Sequence, residues 1–104
     1  VPHADAAFNA SRTAMLTLAL EHYPDLLWQA TEDRLHQDYR AGAMPASADA
    51  VRALRAAGFP AVISGAGPSV LVFSRLDADT VSMMQRRGFT VNTAGMSTRG
   101  AYLV

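Results

Sequence analysis

The sequence predicts an α+β fold, a two-layer sandwich of helices packed on a small antiparallel sheet. Three observations carry this expectation. Apolar residues recur at helical spacing through the first forty residues and again over 48–57 and 77–87. Two β-rich runs, Ala61-Val62-Ile63-Ser64 and Ser69-Val70-Leu71-Val72-Phe73-Ser74, are joined by a four-residue turn, which makes them an antiparallel hairpin. The resulting order, α-α-α-β-β-α-β, sets helices before and after the hairpin, where they must cover one face of the sheet.

Val1 to His3 reads as a lead-in. The first helix is expected from Asp5, a residue able to cap it, to about His22. Phe8, Met15 and Ala19 fall on one side and Leu16, Leu20 and Tyr23 on the next, giving a broad apolar face. Pro24 ends this helix, because it lacks an amide hydrogen and its ring collides with the preceding turn. Proline suits the first turn of a new helix. A second helix is therefore expected from Pro24 to about Tyr39, burying Leu27, Ala30, Thr31 and Leu35, in a helical hairpin or a sharp kink.

Gly42 and Pro45 mark a break. Ser47 is expected to cap a third helix, about Ala48 to Ala57, with Val51 and Leu54 inward and Gly58 as its stop. The hairpin follows. A fourth helix is expected over Asp77 to Arg87, stopped by Gly88, and a further strand over Phe89 to about Ala94, extended or paired by Ala101 to Val104. A ferredoxin-like sheet wants one more strand ahead of the helices, so the order reads as incomplete.

The chain has 104 residues, room for one compact domain, and half of them are apolar, enough for a core. Nine basic residues balance nine acidic ones, which removes the electrostatic case for nucleic acid or an anionic membrane. No apolar run approaches the roughly 18 residues that span a bilayer. All nine basic residues are Arg, so a phosphate-loop lysine and a Schiff-base lysine are excluded within this chain. The absence of Cys likewise excludes disulfides, thiolate nucleophiles and cysteine metal sites.

The segment with most chemical content is Ile63-Ser64-Gly65-Ala66-Gly67-Pro68-Ser69-Val70. Its glycines permit positive φ and close approach of a ligand, so its amides can form a nest for an anion. A hairpin turn in which Gly and Pro serve shape alone explains it equally well. It is not a dinucleotide fingerprint: Val70 stands where a third Gly would be, and the turn leads into a strand. It also lacks the Gly-Lys-Ser/Thr of a Walker loop and the Gly two residues before Ser64 of a nucleophile elbow.

A second segment is Glu32-Asp33-Arg34-Leu35-His36-Gln37-Asp38-Tyr39-Arg40, at an expected helix end. Arg40 suits bidentate contact with a carboxylate or phosphate, although a cation there also complements the helix dipole. A third is His3, Asp5, Asn9 and Arg12, for which capping and surface polarity are the preferred reading over a polar pocket. Asp33 and His36 share a helix face, but two ligands do not make a metal site, and none is assigned. Met83-Met84 and Trp28 read as packing residues.

Three stretches together resemble the C-terminal half of bacterial homoserine kinases, a branch of the GHMP kinase family, and most closely its actinobacterial members. They are Val1-Pro2-His3-Ala4-Asp5-Ala6-Ala7-Phe8-Asn9-Ala10-Ser11-Arg12; Ala30-Thr31-Glu32-Asp33-Arg34-Leu35-His36-Gln37-Asp38-Tyr39-Arg40 with Met44-Pro45; and the Gly-rich turn, similar to the third motif of GHMP kinases. The turn marks the superfamily, and the Leu-His-Gln-x-Tyr-Arg stretch points to homoserine kinases. The ending, Gly100-Ala101-Tyr102-Leu103-Val104, is a weaker match.

The resemblance implies a two-domain cytoplasmic kinase, of which residues 1–104 would be the ferredoxin-like C-terminal domain. The first strand would lie upstream of Val1, and the ATP-binding domain with its phosphate loop outside this chain. The implied reaction moves the γ-phosphoryl group of ATP to the hydroxyl of L-homoserine, in threonine biosynthesis, with Mg2+ and ATP bound mainly by the N-terminal domain. Arg40 would help hold the amino-acid substrate. Ser64, Gly65, Ala66, Gly67, Pro68 and Ser69 would lie against the active site and support the phosphate loop. No catalytic residue is assigned within the chain, and Asn9 and Arg12 receive no role. The implied partners are L-homoserine, ATP, the chain's own N-terminal domain and a second copy in a homodimer, without nucleic acid or membrane. Two other readings stay open: a GHMP kinase for a different small alcohol, and a non-catalytic ferredoxin-like module for metabolite binding or dimerisation.

Overall fold

The computed structural model describes residues 3–33, 42, 44–64 and 68–94. Helix α1 runs His3–Glu21, starting two residues ahead of the expected Asp5. Asp5 lies inside the first turn, where its charge still complements the positive helix end. Ala19 is fully buried, and Met15 and Leu16 pack beside it. The apolar face is narrower than the sequence suggests: Leu18, Leu20 and Tyr23 are exposed.

Pro24 interrupts the helix as expected and opens a 3-10 turn, Pro24–Leu26, which passes into α2, Leu27–Ala30. Leu27 and Ala30 close over Ala19, so α2 packs back on α1. The expected continuation of this helix to Tyr39 is not seen in its described part, for Thr31 forms a turn and Glu32 and Asp33 are non-helical. Side chains take the carbonyls of the last turn. The Thr31 hydroxyl donates to Leu27 O at 2.7 Å, and an Arg55 Nη donates to Trp28 O. A helix end satisfied in this way has no need to continue. Residues 34–39 of the expected helix, Leu35 among them, lie outside the described residues.

Helix α3 is Pro45–Ala56, with Pro45 in its first turn and Met44 at the N-cap. Ser47 is therefore not the cap. It is buried within the helix, and its hydroxyl donates to Pro68 O at 2.5 Å, tying α3 to the end of the Gly-rich turn. Val51 and Leu54 point inward as expected. Gly58, at φ +93°, ends the helix in a Schellman motif, with Phe59 N bonded to Leu54 O and Gly58 N to Arg55 O.

Strands β1, Ala61–Ile63, and β2, Val70–Val72, form the expected antiparallel hairpin, with Ala61 opposite Val72, Val62 opposite Leu71 and Ile63 opposite Val70. The Ser64 amide donates to Ser69 O at 2.8 Å across the base of the turn. Helix α4, Ala78–Arg86, is capped by Asp77, whose carboxylate accepts from Thr80 N at 2.7 Å. It ends at Gly88, also at φ +93°, in the same motif as α3.

The core is built on the alternation of the hairpin. Ala61 joins Ala50 and Leu54 of α3 and Met84 of α4, with Val70, Val72, Phe59 and Phe89 around them. Phe73, just past β2, enters the second cluster with Ala19, Leu27 and Ala30. The chain is thus α+β, as expected. The strand expected over Phe89 to Ala94 is absent from those residues. The Phe89 amide is already used by Met84 O, and Phe89 and Val91 lay their side chains on the core without pairing. The pairing expected for Ala101 to Val104 falls outside the described residues. Among the described residues no helix is long and apolar enough to cross a membrane.

Candidate functional site

One face of α1 does two jobs. Its C-terminal half supplies Met15, Leu16 and Ala19 to the core. Its N-terminal half, on the same helical stripe, turns Asn9, Arg12 and Thr13 toward a cleft of about 510 Å³. Thr31, Glu32 and Asp33 form the opposite wall, and Leu16, Ala30, Val62 and Phe73 supply apolar surface.

The polar groups of the cleft are paired across it. The Arg12 guanidinium lies over the Phe8 ring, 4.2 Å from its centroid, and its Nε donates to Glu32 Oε1 at 3.3 Å. Asn9 Nδ2 donates to Asp33 Oδ1. The Arg12 and Glu32 side chains are 25% and 31% exposed, so both are open to a ligand as well as to each other. A guanidinium and two carboxylates share one wall-to-wall space.

Behind Glu32 stands Arg55, a residue of α3. Its Nη1 donates to Thr31 Oγ1 at 2.8 Å and to Ala61 O at 3.1 Å, and its Nη2 donates to Trp28 O. The guanidinium stacks on the Trp28 ring at 4.5 Å, and the indole N–H returns to Arg55 O at 3.0 Å. Burial pulls the Arg55 pKa below its ordinary value, and the nearby Glu32 charge opposes that shift. An arginine so shifted stays protonated at neutral pH. Trp28, read from the sequence as a packing residue, is 37% exposed and belongs to neither core cluster; it serves as the stacking partner of this cation.

The expected site residues distribute as follows. Arg40 and His36 lie outside the described residues, as do Gly65, Ala66 and Gly67. Ser64, Pro68 and Ser69 are exposed where the hairpin strands meet the turn. Ser64 follows β1, whose Val62 lines the cleft. His3 and Asp5 do not line it, whereas Asn9 and Arg12, read from sequence as surface polarity, do. The signal for them was present: both are polar positions on the stripe that Leu16 and Ala19 continue into the core. Arg55 had no such local signal, since its partners lie 6 to 27 residues away.

A family model described as "GHMP kinases C terminal" matches residues 15–84. The chain belongs to this family. The stretch matched by the GHMP kinase model covers α1 from Met15, α2, α3, the hairpin and α4 to Met84. Among similar proteins, the homoserine kinase of Streptomyces avermitilis is 54% identical over 102 residues, which are 97% of this chain and 33% of that protein. The homoserine kinase of Streptomyces coelicolor is 52% identical over the same shares. That of Corynebacterium jeikeium is 50% identical over 88 residues, 85% of this chain and 29% of that protein. The expected likeness to actinobacterial homoserine kinases is therefore found. This GHMP kinase chain spans about a third of the length of the curated relatives it matches.

Proposed function

We propose that the chain is the C-terminal part of a homoserine kinase and that its cleft forms part of the pocket for the amino-acid acceptor. The observation that carries this is the 54% identity, along 97% of the chain, to a protein named homoserine kinase. The chemistry of the cleft agrees with it. L-Homoserine is a zwitterion with a short hydroxyalkyl arm. Arg12 suits its carboxylate, Glu32 and Asp33 suit its ammonium group, and Val62, Phe73 and Leu16 suit its methylenes.

In the proposed reaction the homoserine hydroxyl oxygen attacks the γ-phosphorus of ATP. The bond from that phosphorus to the β–γ bridging oxygen breaks, the hydroxyl proton is lost, and O-phospho-L-homoserine and ADP leave, as a step of threonine biosynthesis. Such transfer depends on positioning and charge more than on covalent help from the protein. The described residues of this chain would position the acceptor. ATP and Mg2+ would be bound mainly by the N-terminal domain of the parent protein. Arg40 would add a second cation for the substrate, and Ser64 to Ser69 would support the phosphate loop of that domain.

The test uses the full-length protein and three acceptors: L-homoserine, 3-amino-1-propanol, which lacks the carboxylate, and 4-hydroxybutyrate, which lacks the ammonium group. Turnover is expected with homoserine, and a loss of kcat/KM of at least about tenfold with each truncated acceptor, since a charge-assisted contact is worth about 1.5–3 kcal/mol. Equal use of all three would refute the assignment of the cleft. Turnover with a different alcohol alone would refute the acceptor.

A further inference from the structure

Arg55 bonds two separate segments of chain at three points with one planar group. Trp28 O belongs to the last turn of α2, Thr31 Oγ1 to the residue that ends it, and Ala61 O to the first residue of β1. Glu32 and Asp33 follow Thr31 directly, and Val62 follows Ala61. A rigid fork bonded to both segments therefore fixes the spacing between one polar wall of the cleft and its apolar side. The stack on Trp28 and the indole bond to Arg55 O hold the fork from outside. On the cleft side, Glu32 in turn engages Arg12.

We infer that Arg55 is a positioning residue: by bracing the end of α2 against β1 it sets where Glu32 and Asp33 meet Arg12 and Asn9, and so governs acceptor affinity without lining the cleft. This rests on the reading of the cleft as the acceptor pocket. Lysine would keep the charge at this position and lose the fork, because an ammonium group is a point donor on a flexible stem. A residue that only held the fold together would lower stability and leave the folded enzyme's constants alone.

The experiment measures KM for L-homoserine, KM for ATP and Tm on the full-length protein, wild type against Arg55→Lys. The expected result is a rise of about tenfold in KM for homoserine, the scale of a small misplacement of binding groups, with KM for ATP unchanged. A lower Tm with both KM values unchanged overturns the inference, as does an equal rise in both. Should Arg55→Lys fail to fold, Trp28→Leu decides: it removes the stack from a partly exposed residue outside the cleft. A rise of about threefold in KM for homoserine alone is expected for it, comparable to one modest contact, and no rise overturns the inference. A wild type without turnover on homoserine removes the underlying reading before any variant is compared.

Discussion

Replacing Arg12 with Gln separates the fold from the site, because the two effects differ in size. The Arg12–Glu32 pair is 3.3 Å long and about a quarter to a third exposed, so solvent screens it. Pairs of this kind contribute about 0–1 kcal/mol. The stack over Phe8 at 4.2 Å adds about 0.5–1 kcal/mol at an exposed site. Arg12→Gln should thus cost about 1 kcal/mol, a fall in Tm of about 1–2 °C in a protein of the relatives' length, about three times this chain. A contact from Arg12 to the carboxylate of a bound acceptor is worth more, about 1.5–3 kcal/mol. Its loss should raise KM for L-homoserine by about 10- to 150-fold. Steady-state kinetics with homoserine varied at saturating ATP, beside thermal unfolding, measure both. The same small loss of stability with an unchanged KM would refute the placement of Arg12 in the acceptor pocket.

Leu54 is 1% exposed at the centre of the main core, so Leu54→Ala should destabilise by about 2–5 kcal/mol in urea unfolding; a loss under about 1 kcal/mol would contradict the packing described. Gly58 has open space around its Cα but φ of +93°, so Gly58→Ala should cost about 1–2 kcal/mol through the backbone alone, and a neutral outcome would deny the Schellman geometry. Asp77 accepts from Thr80, which holds its pKa below the ordinary aspartate value in the folded state. Its contribution is then complete above the unfolded value, near pH 4, and is lost as pH falls through the lower folded value. The urea midpoint of Asp77→Ala should lie below that of wild type at pH 7 and converge on it in acid; a gap independent of pH would contradict the cap.

Much of the fold was legible because its signals are local. Gly58 and Gly88 stop helices where a positive φ is needed, Pro24 breaks α1, and the two β-rich runs flank a turn that can only make a hairpin. The misreadings share one cause, a distant partner that outranked a local preference. Ser47 looks like a cap in the sequence, yet its hydroxyl is taken by Pro68 O, 21 residues on. The end of α2 is written in Thr31 and in Arg55, 24 residues later. Phe89 to Ala94 alternates like a strand, but the first amide belongs to the helix stop and the apolar side chains to the core. The site divides in the same way. The motif around Glu32 and Asp33 stood out from its composition, whereas its pairing with Asn9 and Arg12 depends on α1 and α2 folding back on each other.

The most direct measurement of the central claim is phosphorylation of L-homoserine by the full-length protein with Mg2+ and ATP, followed as ADP release and as phosphorylated product, for wild type and for Arg40→Ala. The account predicts stoichiometric ADP and O-phospho-L-homoserine from the wild type, and a loss of about 100-fold or more in kcat/KM for the variant, about 2.7 kcal/mol of binding to the transition state. Turnover with another small alcohol and none with homoserine, or ADP release that homoserine does not stimulate, would contradict it.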